Sequence, residues 1–230
     1  MKFGVVVFPG SNCDHDMFYV FNEVLGQETI ELWHKDTDLK GLTTDDCIII
    51  PGGFSYGDYL RSGAIAKLSP IMKAVSEHAK NGGLVFGICN GFQILCEAGL
   101  LPGVLLQNAD QKFICKNVYL KTVTNKSVLT EKLNTSQAIK IPIAHADGRF
   151  YIDSKGLDDL VQNDQIIFQY ADAANTVSNQ ANPNGSISNI AGICNKGRNV
   201  FGMMPHPERA SEDVHGNLDG LLMLKSLIAG

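Results

Sequence analysis

No run in this chain of 230 residues approaches the roughly 20 apolar residues of a membrane-crossing helix. The apolar opening, Met1 to Phe8, carries one lysine and stops at Pro9-Gly10. It is too short for the core of a secretory signal and reads as a first strand. Basic charge is not in excess: 19 lysines and arginines against 24 acidic residues leave a formal net charge of −5. That balance argues against nucleic acid or an anionic membrane as the main partner. Cysteine is sparse. The six, at 13, 47, 89, 96, 115 and 194, form no Cys-x-x-Cys pair and show no metal-ligand spacing. Neither a disulfide scaffold nor a bound metal is expected, and a reducing cytoplasm is the expected compartment. A phosphate-cradling loop is missing as well. Gly192 to Gly197 has the right glycine spacing, but Arg198 and Asn199 stand where Lys and Ser/Thr belong. Internal repeats, linkers and low-complexity tracts are absent. With 44% hydrophobic and 19% charged residues, one domain over residues 1–230 is expected.

What is present alternates. Phe3 to Phe8 is strand-like. Asp14 suits the start of a helix whose apolar residues Met17, Val20, Phe21, Val24 and Leu25 recur at helical spacing, with Gly26 as the stop. Ile30 to Trp33 and Cys47 to Ile50 read as strands. Pro70 suits the first turn of a helix carrying Ile71, Ala74, Val75 and His78, ended by Asn81-Gly82. Leu84 to Ile88 reads as a buried strand, and Gly91 to Cys96 opens a helix stopped at Gly99. Short apolar strands separated by helices predict an α/β fold with a mostly parallel sheet covered on both faces. The second half is richer in strands: 113–121, 138–143, 166–170, 186–194 and 199–203, with a closing helix over 218–228. Asn, Gly and Ser cluster at 175–189, which predicts turns and a loop able to move.

Cys89 is the leading candidate for chemistry. It sits where a strand meets a helix, with Gly87 and Gly91 two residues away on either side. A sharp turn needs small neighbours, and the helix N-terminus behind it favours negative charge. A thiol with an ordinary pKa of about 8.5 needs a base. Among six histidines, His206 stands out: it follows a strand, Pro205 and Pro207 restrict the backbone on both sides, and Glu208 points the same way if the segment is extended. The three suggest a Cys–His–Glu arrangement in which the carboxylate holds the imidazole tautomer. Taken singly, each has a plainer reading: a core thiol, a structural or solvated His-Pro loop, a glutamate without meaning of its own. Cys47, Cys96, Cys115 and Cys194 fit buried small hydrophobes. Cys13, also between a strand and a helix, is a rival nucleophile that lacks the second flanking glycine. Asp58, Arg61, His145 and Arg149 are weaker candidates for contacts to substrate or partner, with solvated loops the plainer reading.

Gly87-Ile88-Cys89-Asn90-Gly91-Phe92-Gln93 and His206-Pro207-Glu208 resemble the class I glutamine amidotransferases. Three longer runs are similar to one branch of them, the glutaminase subunits of phosphoribosylformylglycinamidine synthase. They are Phe8-Pro9-Gly10-Ser11-Asn12-Cys13-Asp14, the stretch from Pro51-Gly52-Gly53 through Phe54-Ser55-Tyr56-Gly57-Asp58 to Arg61, and Gly202 to Arg209. The resemblance extends from residue 1 nearly to 230. It departs at His145-Ala146-Asp147-Gly148, where the family usually has His-Gly-Glu-Gly, so a backbone contact at position 146 does not carry over.

The resemblance implies a flavodoxin-like single-domain fold and hydrolysis of L-glutamine. Cys89 would attack the carboxamide, with His206 and Glu208 completing the triad. The backbone N–H groups of Gly53 and Asn90 would hold the oxyanion, and Gln93 would help bind the glutamine. No cofactor is implied in this chain. ATP and magnesium belong to a large synthetase partner, and a small bridging subunit joins the complex. That complex would use the ammonia to convert formylglycinamide ribonucleotide to formylglycinamidine ribonucleotide in purine biosynthesis. The readings set against this are a cysteine-elbow protein of the protease, chaperone or deglycase type, and a non-enzymatic regulatory binding module.

Overall fold

The computed structural model describes residues 1–228. The chain forms two compact units: Met1–Leu101 with Asn199–Gly202, and Pro102–Arg198 with the segment from Met203 onward.

The first unit is a parallel α/β layer. Its strands are β1 (Phe3–Val7), β2 (Thr29–Trp33), β3 (Cys47–Ile50) and β4 (Leu84–Ile88), paired in parallel in the order β2-β1-β3-β4. The strand Val200–Met203, β11 in chain order, lies beside β4. All four residues of β3 are buried, as a strand covered on both faces requires. Each of its isoleucines contributes about 1.5–3 kcal/mol by leaving water. The helices are α1 (Asp14–Tyr19), which continues as a π-helical turn over Val20–Val24, α2 (Ile71–Lys80) and α3 (Asn90–Glu97). The α1 region docks through Phe21, stacked on Phe3 with ring centroids 4.0 Å apart. The apolar stripe of α2 buries Ile71, Met72, Val75 and Ala79. Pro70 precedes α2 as its cap rather than lying inside its first turn. Because β1 pairs with β2 on one side and β3 on the other, the strand order reverses between β1 and β3. In such sheets ligands bind outside the carboxyl ends of the strands at that reversal.

The second unit is antiparallel. Strands β5 (Val104–Leu106) and β8 (Arg149–Tyr151) form a small pair, while β6 (Ile114–Thr122), β7 (Ala138–His145), β9 (Ile166–Ala171) and β10 (Ile190–Cys194) form a sheet ordered β10-β9-β6-β7. Along β7 every second residue, Ile139, Ile141, Ile143 and His145, is buried. Two helices complete the unit, α4 (Ser154–Gln162) and α5 (Asp219–Ile228). The strand expected over 186–194 begins only at Ile190. Ile187–Asn189 is a 3-10 turn, with Ser188 and Asn189 at positive φ. The Asn-rich stretch around it is cross-braced. Asn189 Nδ2 donates to the carbonyls of Tyr170 and Ser178, and Asn184 Nδ2 to that of Gly148. Cys115 departs from the expectation of burial: it lies on an outward position of β6 and is exposed. Among the described residues no helix is long and apolar enough to cross a membrane.

Candidate active site

Cys89 occupies the one-residue junction between β4 and α3, with φ 51° and ψ −107°. This positive φ is costly for a residue with a β-carbon and persists only where surrounding structure enforces it. The enforcement comes from close packing. A β-carbon on Gly91 would collide with the Ile50 carbonyl oxygen, and one on Gly87 would lie 2.7 Å from the Gly91 backbone. With glycine at both positions, α3 drops directly onto the end of β3. Cys89 is 6% exposed and caps the helix that begins at Asn90.

Gly53 lies at the end of the neighbouring strand. Its φ is +126°, and a β-carbon there would sit 2.6 Å from the Asn12 nitrogen. Residues 11 and 53 form an isolated bridge, and the Gly52 carbonyl accepts from Ser11 Oγ at 3.2 Å and from the Cys13 N–H at 3.4 Å. The loops that follow β1 and β3 are therefore tied together at the reversal of strand order. The buried Asn90 side chain joins the next stretch of loop to α3. Its Oδ1 accepts from the Ser55 N–H at 3.1 Å, and its Nδ2 donates to Gln93 Oε1 at 2.8 Å and Asp58 Oδ1 at 3.2 Å. Gln93 is itself 5% exposed, and its N–H donates to the Cys89 carbonyl at 3.2 Å. Arg61 grips Glu97 through two bonds of 2.6 and 2.7 Å.

In the second unit His206 and Glu208 meet. His206 Nδ1 lies 2.6 Å from Glu208 Oε1, with side-chain exposures of 2% and 0%. The segment is not extended throughout: Pro207–Ala210 form a 3-10 turn capped by His206, and the turn brings the carboxylate back onto the ring. The His206 N–H donates to the Pro142 carbonyl at 2.8 Å, which moors the turn to β7. The outer oxygen, Glu208 Oε2, is buried with no hydrogen-bond partner among the described residues.

His145, at the end of β7, is a second buried histidine here. Burial, followed by the charge of His206, pushes its pKa down to about 4. Asn108 Nδ2 donates to the carbonyls of His145 and Lys112, so its Oδ1 must accept, and it does so from the Gly148 N–H and His145 Nδ1. The latter bond places a proton on His145 Nδ1, and the lowered pKa leaves the ring neutral at pH 7.

Residues 1–220 match the CobB/CobQ-like glutamine amidotransferase domain family. A curated relative from Trichormus variabilis, phosphoribosylformylglycinamidine synthase subunit PurQ, is 55% identical over 228 residues, covering 99% of this chain and 97% of its own. The chain belongs to the PurQ family of glutamine amidotransferases. A PurQ subunit from Aquifex aeolicus is 50% identical over 229 residues, a coverage of 100% for each chain. Among solved structures, a chain in the structure of PurLQS from Thermotoga maritima superposes with a TM-score of 0.84 at 41% identity, covering 99% of this chain and 97% of that one.

For this PurQ-family chain the sequence points to Cys89, Asn90, Gln93 and Gly53, which lie beyond the carboxyl ends of the neighbouring strands β3 and β4 and in the first turn of α3, and to His206 and Glu208, which pair in the second unit. It did not single out Asn108, whose role depends on a contact 37 residues away. Nor did it reveal that the Asn90 side chain turns inward. Three polar groups at 55, 58 and 93 converge on it, and no periodicity reports that convergence.

Proposed function

We propose that this chain hydrolyses L-glutamine to glutamate and ammonia and passes the ammonia to a synthetase subunit. The Cys89 thiol, at the N-terminus of α3, gives its proton to His206 Nε2, and the thiolate attacks the side-chain carboxamide carbon. The carbonyl oxygen becomes an oxyanion, received by the backbone N–H groups of Gly53 and Asn90. When the C–N bond breaks, His206 gives its proton to the departing nitrogen and ammonia leaves a thioester on Cys89. Water then attacks the thioester carbon while His206 takes its proton; the C–S bond breaks, releasing glutamate and restoring the thiolate. Glu208 holds the His206 ring with Nε2 as the reacting nitrogen and stabilises the imidazolium that forms. Gln93 helps bind the glutamine.

The observation that carries this reading is the backbone of Cys89, a strained strand-to-helix elbow maintained by two glycines. Strain of this kind is found where a nucleophile must be presented. The buried His206–Glu208 pair supports it from the second unit. Ammonia released into water would be protonated and lost as a nucleophile, so the consuming enzyme must dock on this chain. The PurQ relatives are subunits of phosphoribosylformylglycinamidine synthase by name. The corresponding partners are a large synthetase subunit, which holds ATP and magnesium, and a small bridging subunit, in the cytoplasm. The product of that complex is formylglycinamidine ribonucleotide.

The test is glutamate release from glutamine in the presence of the synthetase subunits. Cys89→Ala is expected to lower the rate by at least about 10³-fold, the scale seen when a covalent nucleophile is lost. Equal rates from the two proteins would sink the assignment.

A further inference from the structure

We propose that Asp58 and the side chain of Asn90 are positioning residues for the reacting turn: the Asp58 carboxylate holds the Asn90 carboxamide, and the carboxamide orients the first turn of α3. The inference rests on the glutaminase reading above and assigns a task to side chains that the reaction itself does not consume.

The carboxamide has no rotational freedom. Its oxygen is identified by the Ser55 N–H, which can only donate. Its nitrogen therefore faces Asp58 Oδ1 and Gln93 Oε1, and its two hydrogens match those two acceptors. Asn90 is 2% exposed, so water does not compete for these bonds. The residue so held is covalently next to Cys89, and its own N–H is one of the two oxyanion donors.

The loop that supplies Ser55 and Asp58 is strained in order to do so. Tyr56 (φ 53°), Gly57 (φ 67°) and Asp58 (φ 54°) are all left-handed, an unfavourable run for a segment that merely links β3 to α2. Tyr56 clamps it at three points: its N–H donates to the Pro9 carbonyl at 2.6 Å, and its hydroxyl meets His34 Nδ1 at 2.7 Å and Ser69 Oγ at 2.9 Å. The outcome of this arrangement is that an N–H and a carboxylate are delivered to one buried carboxamide. A plain packing role for Asn90 would need neither the carboxylate nor the left-handed run.

The experiment measures glutaminase kcat and KM in the assembled complex with its synthetase subunits. Asp58→Ala and Asn90→Asp should each lower kcat on the order of 10–100-fold, the penalty for slight misplacement of reacting groups. In Asn90→Asp a second carboxylate faces Asp58 and Gln93 Oε1 in place of a donor. Asp58→Asn keeps an acceptor oxygen and should retain kcat to within about threefold. The reciprocal swap, Asp58→Asn with Asn90→Asp, restores one donor and one acceptor and should recover most of the loss in Asn90→Asp. The unfolding midpoint of each variant is measured alongside: a role in folding alone would make kcat follow the folded fraction, whereas the positioning role lowers kcat in protein that is fully folded at the assay temperature. Wild-type kcat in Asp58→Ala, or a swap no better than Asn90→Asp alone, overturns the proposal. If Asp58→Ala does not fold, the near-isosteric Asn90→Asp and swap pair decides. Cys89→Ala is run alongside: activity surviving there removes the glutaminase reading itself, whereas loss there with normal Asp58 variants removes only the positioning role.

Discussion

His206 Nδ1 and Glu208 Oε1 lie 2.6 Å apart, both side chains out of water. The carboxylate accepts, so the ring proton sits on Nδ1 and the Nε2 lone pair is left for proton transfer. A turn of 3-10 helix, rather than an extended strand, accomplishes this, and the His206 N–H on the Pro142 carbonyl keeps that turn in place.

The unequal roles of the pair give the first prediction. His206→Ala removes the proton carrier and should abolish detectable glutamate release in the complex. Glu208→Gln keeps a hydrogen-bonding group of the same shape but can favour the wrong tautomer; it should lose about 10²–10⁴-fold and retain a measurable remainder. Steady-state rates decide, and wild-type rates in both would refute the assigned roles.

Two glycines should respond very differently to alanine. At Gly26, φ is +63° and nothing lies within 4 Å of an added β-carbon, so Gly26→Ala should cost about 1–2 kcal/mol from backbone strain alone. At Gly91 the added carbon meets the Ile50 carbonyl, a backbone group that cannot swing aside. Gly91→Ala should cost more than about 3 kcal/mol, beyond ordinary overpacking. Chemical denaturation gives both values, and the reverse order would contradict the packing described.

Tyr56→Phe tests the clamp on the loop after β3. It removes one hydroxyl and leaves His34 Nδ1 and Ser69 Oγ without that partner. The expected loss is about 1–3 kcal/mol. The change should also slow turnover if this loop holds Asp58 against Asn90; an unaltered unfolding midpoint would show that the hydroxyl bonds contribute nothing.

His145 sets a pH dependence of stability. Its pKa is near 4 in the folded chain and about 6.5 in the unfolded one, because burial penalises the charged ring and His206 adds repulsion. As pH falls below about 6.5 the unfolded chain takes up a proton that the folded chain does not. Stability from this group is therefore complete above pH 6.5 and declines until about pH 4, by on the order of 3 kcal/mol in total. His145→Asn keeps a donor for Asn108 and cannot titrate. Between pH 7 and 5 its unfolding free energy should fall less steeply than that of the wild type, and parallel slopes would exclude His145 as the source.

Local signals carried much of the fold. Cys47–Ile50 and Leu84–Ile88 are unbroken apolar runs bounded by turn residues, and they are strands at those limits. Elsewhere local and tertiary preferences diverge. Ser186 to Cys194 looks continuous, yet Asn189 is held at positive φ by bonds to Tyr170 and Ser178, so the strand starts only at Ile190. Helix α4 gives little local signal beyond its cap, Asp153, which accepts from the Gly156 N–H at 2.8 Å. With Leu160 as its one buried residue, its apolar stripe is too thin to stand out.

The sequence by itself determined the residue types and spacing that identify the chemistry: a glycine-flanked Cys89, a proline-bounded His206 and a nearby Glu208. Those signals are legible because each spans a few residues and constrains the backbone directly. Tertiary structure alone decided how the side chains are held. Asn90 meets Ser55 and Asp58 across more than 30 residues of chain, and His145 meets Asn108 across 37. Hydrogen bonds at such separations depend on which strands lie side by side and where their loops fold back, and that information belongs to the packed sheet rather than to any local stretch of chain.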